Sequence, residues 1–130
     1  MKTNKMIVTT VLLGLFLTFS LGLSAQDLTK VPSKVNTKVL LDNDQVRVIQ
    51  VESPVGEATG LHSHPAYVIY PLTDGKLEET VQGKPVTTVI FKAGEPKYMP
   101  AVTHVAKNVG TSPMKLILVE LKTSPASSPK

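Results

Sequence analysis

The chain has no cysteine and no tryptophan, one arginine, and three histidines in 130 residues. Without cysteine there are no disulfides and no thiolate ligands, so a metal site must use nitrogen and oxygen donors. The same absence excludes a lipid-anchored lipoprotein. Stability must come from the core, from oligomerisation or from a metal. With a single arginine, Arg47, and lysines scattered one at a time, there is no basic run interleaved with aromatics. Nucleic-acid binding therefore has no support. No Ser-His-Asp order, P-loop or dinucleotide glycine pattern is present either.

The long hydrophobic run lies at the start. Lys2 and Lys5 precede Met6 to Ala25, which carries no charge and is most apolar from Val11 to Leu23. Small residues follow at Gly22, Ser24 and Ala25, then the polar Gln26 and Asp27. This pattern is that of a secretory signal peptide over residues 1–25, so the protein is expected to be exported, to a periplasm or the extracellular space. Cleavage after Ala25 leaves the bulky Leu23 at −3, whereas cleavage after Ser24 gives the small pair Gly22 and Ser24. The alternative is an uncleaved anchor, because about 20 apolar residues rising about 1.5 Å each can cross a bilayer. After cleavage no stable membrane association is expected. The basic count then falls from 14 to 12 against 10 acids, which leaves the mature chain nearly neutral.

The remainder reads as one domain of short strands. Residues 26–38 are mostly polar, with one Pro, and form a leader expected to lie on the surface or to pair late. Apolar alternation marks strands at Val39–Leu41, Gln45–Glu52, Thr59–His64, Ala66–Tyr70, Lys76–Gln82, Pro85–Lys92, Lys97–Met99, Thr103–Val109 and Met114–Lys122, with turn residues between them. Met114–Lys122 could suit a short helix, but Gly110 to Pro113 before it favour a buried strand. Residues 123–130 are rich in Ser and Pro and read as a disordered tail. About eight to ten strands without a convincing helix mean an all-β sandwich or barrel. A homodimer through a sheet edge would add the burial that so small a core lacks.

His62-Ser63-His64 is the stretch that carries chemistry. On an extended strand, side chains at i and i+2 share a face, so the two imidazoles can hold one ion. Alone the pair is a weak signal, since strand histidines are also exposed by chance or buried as hydrogen-bonded core residues. The third histidine, His104, stands four residues before Asn108.

These residues fall in a larger pattern. Gly56, His62, His64 and Gly75 match G-x5-H-x-H-x3-E-x6-G, with Val68 at the glutamate position. Gly94, Pro100, His104 and Asn108 match G-x5-P-x-G-x2-H-x3-N, with Val102 at the second glycine and one residue fewer between Pro and His. The sequence thus resembles the cupin superfamily over Val39 to Lys122, and in particular short single-domain cupins often described only as cupin-domain or β-alanine-degradation proteins. The resemblance implies a double-stranded β-helix, the cupin jelly-roll barrel, over residues 39–122. It also implies that His62, His64 and His104 converge on one divalent metal, either Fe, Mn, Ni, Cu or Zn. Val68 offers no donor atom, so the expected site is three neutral imidazoles around a full +2 charge, open to a small anionic ligand. The implied function is a metal-dependent enzyme, such as a non-haem oxygenase. The alternatives are a module that binds metal or a small ligand without turnover, or a degenerate barrel acting as a structural dimer. Among other residues, Tyr67, Tyr70, Tyr98 and Met99 are candidates to line the barrel. Gln50 is a candidate inward donor, Arg47 and Glu52 are expected in solvent, and Asn108 is expected to hold backbone.

Overall fold

The computed structural model describes residues 26–123. The expected signal segment, and the expected tail beyond Thr123, lie outside the described residues. Nine strands follow one another: β1 (Asn36–Asp42), β2 (Val46–Ser53), β3 (His62–His64), β4 (Tyr67–Pro71), β5 (Gly75–Val81), β6 (Thr87–Phe91), β7 (Lys97–Met99), β8 (Val102–Asn108) and β9 (Met114–Leu121). They form two antiparallel sheets, one ordered β1-β2-β9-β4-β7 and the other β3-β8-β5-β6. No helix occurs among the described residues, and Met114–Leu121 is a strand as its flanking turn residues indicate.

Period-two alternation sets the inner faces. On β9, Met114, Leu116, Leu118 and Glu120 are buried, and between them Lys115 is exposed while Ile117 and Val119 are half-buried. On β2 the buried residues are Ile49, Val51 and Ser53. Arg47 shares their parity, whereas Gln50 shares that of Val46 and Val48. The inward polar residue of this strand is therefore Arg47, whose side chain is only 16% exposed, and not Gln50. Ile49, Phe91, Met114 and Tyr67 are the best-buried large side chains of the core.

The motif glycines perform different tasks. Gly56 has φ near +78°, a backbone conformation that costs side-chain-bearing residues steric strain, and its N–H donates to Asn108 O at 2.8 Å. Gly75 instead makes room: a Cβ there would lie 2.7 Å from Met114 Cγ and closer still to its Sδ. Met114 is fully buried and has little space to give. Gly75→Ala is therefore expected to destabilise the fold by about 1–3 kcal/mol through overpacking. Urea unfolding would read this as a lower midpoint with an unchanged slope. Asn108 acts on backbone as expected, donating Nδ2 to Ser53 O and Ser112 O and accepting from Gly110 N, all at 2.9–3.0 Å.

Two expectations change. Strand β1 starts at Asn36, inside the expected leader, and the leader does not simply lie on the surface. Leu28, Val31 and Val35 join the core at 5–8% exposure. They escape notice in the sequence because single apolar residues among polar ones show no strand periodicity. The second change concerns Val68. The chain leaves β3 in one sheet, turns at Pro65-Ala66, and enters β4 in the other. That crossing resets the alternation, so Tyr67 and Ile69 point inward and Val68 does not.

Candidate metal centre

The three histidines meet inside the barrel. His62 and His104 are register partners on β3 and β8, so their side chains stand opposite each other on one face. His64 follows at i+2. All three are at most 5% exposed, and one nitrogen from each lies within 4.8 Å of the others.

Hydrogen bonds determine which nitrogens are free. His62 Nδ1 is 2.8 Å from Gly60 O. A carbonyl only accepts, so Nδ1 carries the proton and Nε2 presents its lone pair. His64 Nδ1 lies 2.6 Å from Glu120 Oε1 and donates to that carboxylate, which again leaves Nε2 free. The two Nε2 atoms face each other at 2.9 Å. Two lone pairs at that distance repel unless a proton or a metal ion lies between them. Nitrogens bound at about 2.05 Å are about 2.9 Å apart in neighbouring positions of a six-coordinate ion, so the His62–His64 pair fits a metal of that geometry. His104 supplies a second sign: its Nδ1 is buried without a hydrogen-bond partner, 3.8 Å from Glu79 Oε2.

A row of paired residues crosses the larger sheet beside this group, exposed at its Asp42 end and largely buried at Arg47, Glu120 and Tyr67. Asp42, Arg47, Glu120, Tyr67 and Met99 are successive register partners across the larger sheet. Glu120 lies between Arg47, 3.7 Å away, and His64. Arg47 in turn grips Asp27 with Nη1 to Oδ2 at 2.9 Å and Nη2 to Oδ1 at 3.1 Å. Burial alone would raise the Asp27 pKa, but the bonds from Arg47 and Thr29 outweigh it and hold the carboxyl below its ordinary range. Tyr67, 4.5 Å from His64 between ring centroids, is kept firmly protonated by burial and by the charges of Glu79 and Glu120.

The sequence-level candidates sort as follows. His62, His64 and His104 come together, and Tyr67 lines the cavity with them. Tyr70 and Tyr98 are exposed, and Met99 packs against the core. Glu79 and Glu120 were not anticipated. Each occupies an apolar parity position, after Leu77 on β5 and after Leu118 on β9. A carboxylate in such a position is the signal that would have found them.

Val68 thus faces away from the three imidazoles, and Glu79 and Glu120 stand beside them without it. Val68→Glu is expected to change melting temperature equally with and without added metal. A metal-dependent difference would restore Val68 to the site.

His62 also predicts an acid response. Burial, reinforced by the neighbouring imidazoles, lowers its pKa from 6.5 to about 4, although the Gly60 bond opposes the shift. Between those values the unfolded chain binds the proton more readily than the folded one, so stability falls as pH falls. The full contribution is on the order of 3 kcal/mol, present above pH 6.5 and lost by about pH 4. Urea titrations of chelator-treated protein at several pH values would show this slope, and His62→Asn should flatten it.

The cavity beside the imidazoles measures about 40 Å3. Leu28, Val51, Leu77, Leu116 and Leu118 are among its apolar lining, and Glu79 adds a carboxylate.

No family model matches the chain, and no curated protein matches it. Solved structures do. A cupin domain from Bordetella pertussis Tohama I superposes with a TM-score of 0.64 at 27% identity, covering 68% of this chain and 94% of that one. A cupin-like protein from Thermotoga maritima gives 0.56 at 24% identity, with 76% and 77% covered. An RmlC-like cupin family protein with a double-stranded β-helix fold from Methanocaldococcus jannaschii gives 0.56 at 17% identity, with 74% and 87% covered.

Proposed function

We propose that this chain, a member of the cupin superfamily by its fold, holds one divalent metal ion through His62, His64 and His104 and uses it on a small ligand. One observation carries the reading: two Nε2 atoms face each other at 2.9 Å while both Nδ1 atoms are committed as donors. The ion, one of Fe, Mn, Ni, Cu or Zn, would supply a Lewis-acid centre and, where it is iron, redox chemistry of the oxygenase kind.

The chain's own residues define the rest of the site. Apolar side chains from both sheets keep bulk water out. Tyr67 offers a hydroxyl that stays protonated. Glu120 orients His64, and Glu79 stands beside His104. These two carboxylates offset the charge of the ion, so the bare +2 centre expected from the sequence becomes a milder one. The ligand that suits it is a small, singly charged oxygen donor. A cavity of about 40 Å3 has room for about three waters, far less than a drug-sized ligand needs. The same small volume favours a second reading, capture of the metal or a small ligand without turnover.

Metal analysis of protein recovered from outside the cytoplasm, where residues 1–25 would direct it, tests the first step. Stoichiometric metal supports the centre, and metal-free protein that takes up none on dialysis rejects it. Oxygen uptake with small carboxylic acids then separates turnover from capture.

A further inference from the structure

A segment outside the strand ladders borders this centre, and its role there rests on the metal reading above. Residues 26–35 lie against the barrel and bring Leu28 and Val35 into the cavity that the three imidazoles line. Leu28, Val31 and Val35 are at most 8% exposed.

The segment is seated by few attachments. Asp27 O accepts from Lys30 N at 2.9 Å and from Val31 N at 3.2 Å, closing a turn that carries Leu28. Asp27 Oδ1 also accepts from Thr29 N and Thr29 Oγ1, both at 2.9 Å. Towards the barrel, Ser63 N donates to Gln26 O at 2.9 Å, within one isolated bridge between Asp27 and Ser63. Ser63 is the residue between two of the proposed ligands. Arg47 adds its two bonds to Asp27 and one from Nη2 to Thr29 Oγ1 at 2.9 Å. Gly60 accommodates Val31, because a Cβ there would lie 3.0 Å from Val31 Cβ. Ordering ten residues for three apolar side chains, one bridge, the Asp27–Arg47 pair and the exposed Lys34–Glu57 pair at 3.0 Å, which contributes little in solvent, gains less than a full strand ladder does. Segments of this kind open before the sheets do.

We propose that residues 26–35 form a movable wall of the site, in which Leu28 determines ligand size and the Asp27–Arg47 pair is the latch. With the wall in place the cavity admits only a few non-hydrogen atoms, such as formate. With Leu28 shortened or the latch released, larger oxygen donors such as benzoate enter. The latch also adjoins the centre. The guanidinium that holds Asp27 faces Glu120, which fixes His64, so wall and ligand share one cation.

Two measurements test this. The chain's histidines are the three in the site, so carbethoxylation of histidine by diethyl pyrocarbonate reports access to it alone. In metal-free protein at neutral pH, Leu28→Ala and Asp27→Asn should each accelerate that reaction by about ten-fold or more over wild type. Met114→Ala empties an equally buried core position outside the cavity and should leave the rate within about two-fold. Unchanged rates in both wall variants overturn the proposal. So does an equal rise in Met114→Ala, because access would then follow global unfolding. The second measurement uses Co2+-loaded protein and its visible spectrum. Formate should perturb the wild-type spectrum and benzoate should not, while Leu28→Ala should respond to both. Identical responses of the two proteins overturn Leu28 as the size determinant. Wild-type protein that takes up no Co2+ overturns the metal reading alone, and carbethoxylation still decides the wall.

Discussion

Metal-dependent thermal stabilisation is expected to vanish in each of His62→Ala, His64→Ala and His104→Ala. A ligand that binds only the folded state stabilises it by RT ln(1 + [L]/Kd), about 4 kcal/mol when free metal is about a thousand times Kd. For a domain of this size that corresponds to a rise in melting temperature of roughly 16–32 °C. Three imidazoles provide no redundancy, since removing one leaves two neutral donors and no thiolate to replace it. Because the readout is the shift on adding metal, the cavity cost of each alanine cancels. Differential scanning fluorimetry of wild type and variants, with metal and with chelator, gives the answer. A variant that keeps the full wild-type shift would remove its histidine from the centre. Acid should affect the same shift, because imidazoles must be neutral to bind.

The comparison of sequence with structure follows from how local each feature is. His62 and His64 were legible because i and i+2 on one strand need no knowledge of the rest of the fold. His104 was not placed by spacing; it came from the resemblance, and the register of β3 with β8 then sets it opposite His62. The all-β architecture was legible from alternation and turn residues, including the Asn43 turn, where Oδ1 accepts from Gln45 N and Val46 N. Val68 was misplaced because it was taken from the motif register, whereas the chain changes sheets at Pro65 and turns Tyr67 and Ile69 inward instead. Arg47 was expected in solvent because charged residues usually are, yet its parity with Ile49 and Val51 already pointed inward. Leu28, Val31 and Val35 had no strand periodicity to betray them. Their burial depends on the barrel they close, which is a tertiary fact.

Glu120→Ala should have the largest effect on the fold of any single polar substitution near the centre. Glu120 is 6% exposed, and its two oxygens have different partners. Oε1 takes the proton-bearing Nδ1 of His64 at 2.6 Å, and Oε2 faces Arg47 Nη1 at 3.7 Å. Deleting it leaves a buried N–H without an acceptor and a buried guanidinium with one counter-charge fewer. Breaking a buried ion pair on one side costs about 3–5 kcal/mol, and the lower end applies here because Asp27 still holds Arg47. The expected fall in melting temperature is thus roughly 12–24 °C. Metal affinity should fall by about 10–100-fold as well, since His64 loses the group that fixes its tautomer and ring orientation. Glu120→Gln separates the two roles. Its amide oxygen can still accept from His64 Nδ1, so metal affinity should largely survive, while the charge opposite Arg47 is gone and stability should fall by an intermediate amount. Arg47→Met supplies the reverse cut, and the double variant with Glu120→Gln should cost less than the sum of the singles, because neither leaves the other's charge buried alone. Chemical unfolding of the four proteins measures the coupling. Strict additivity would mean that Arg47 and Glu120 do not sense each other, and the path from Asp27 to His64 would end at the guanidinium.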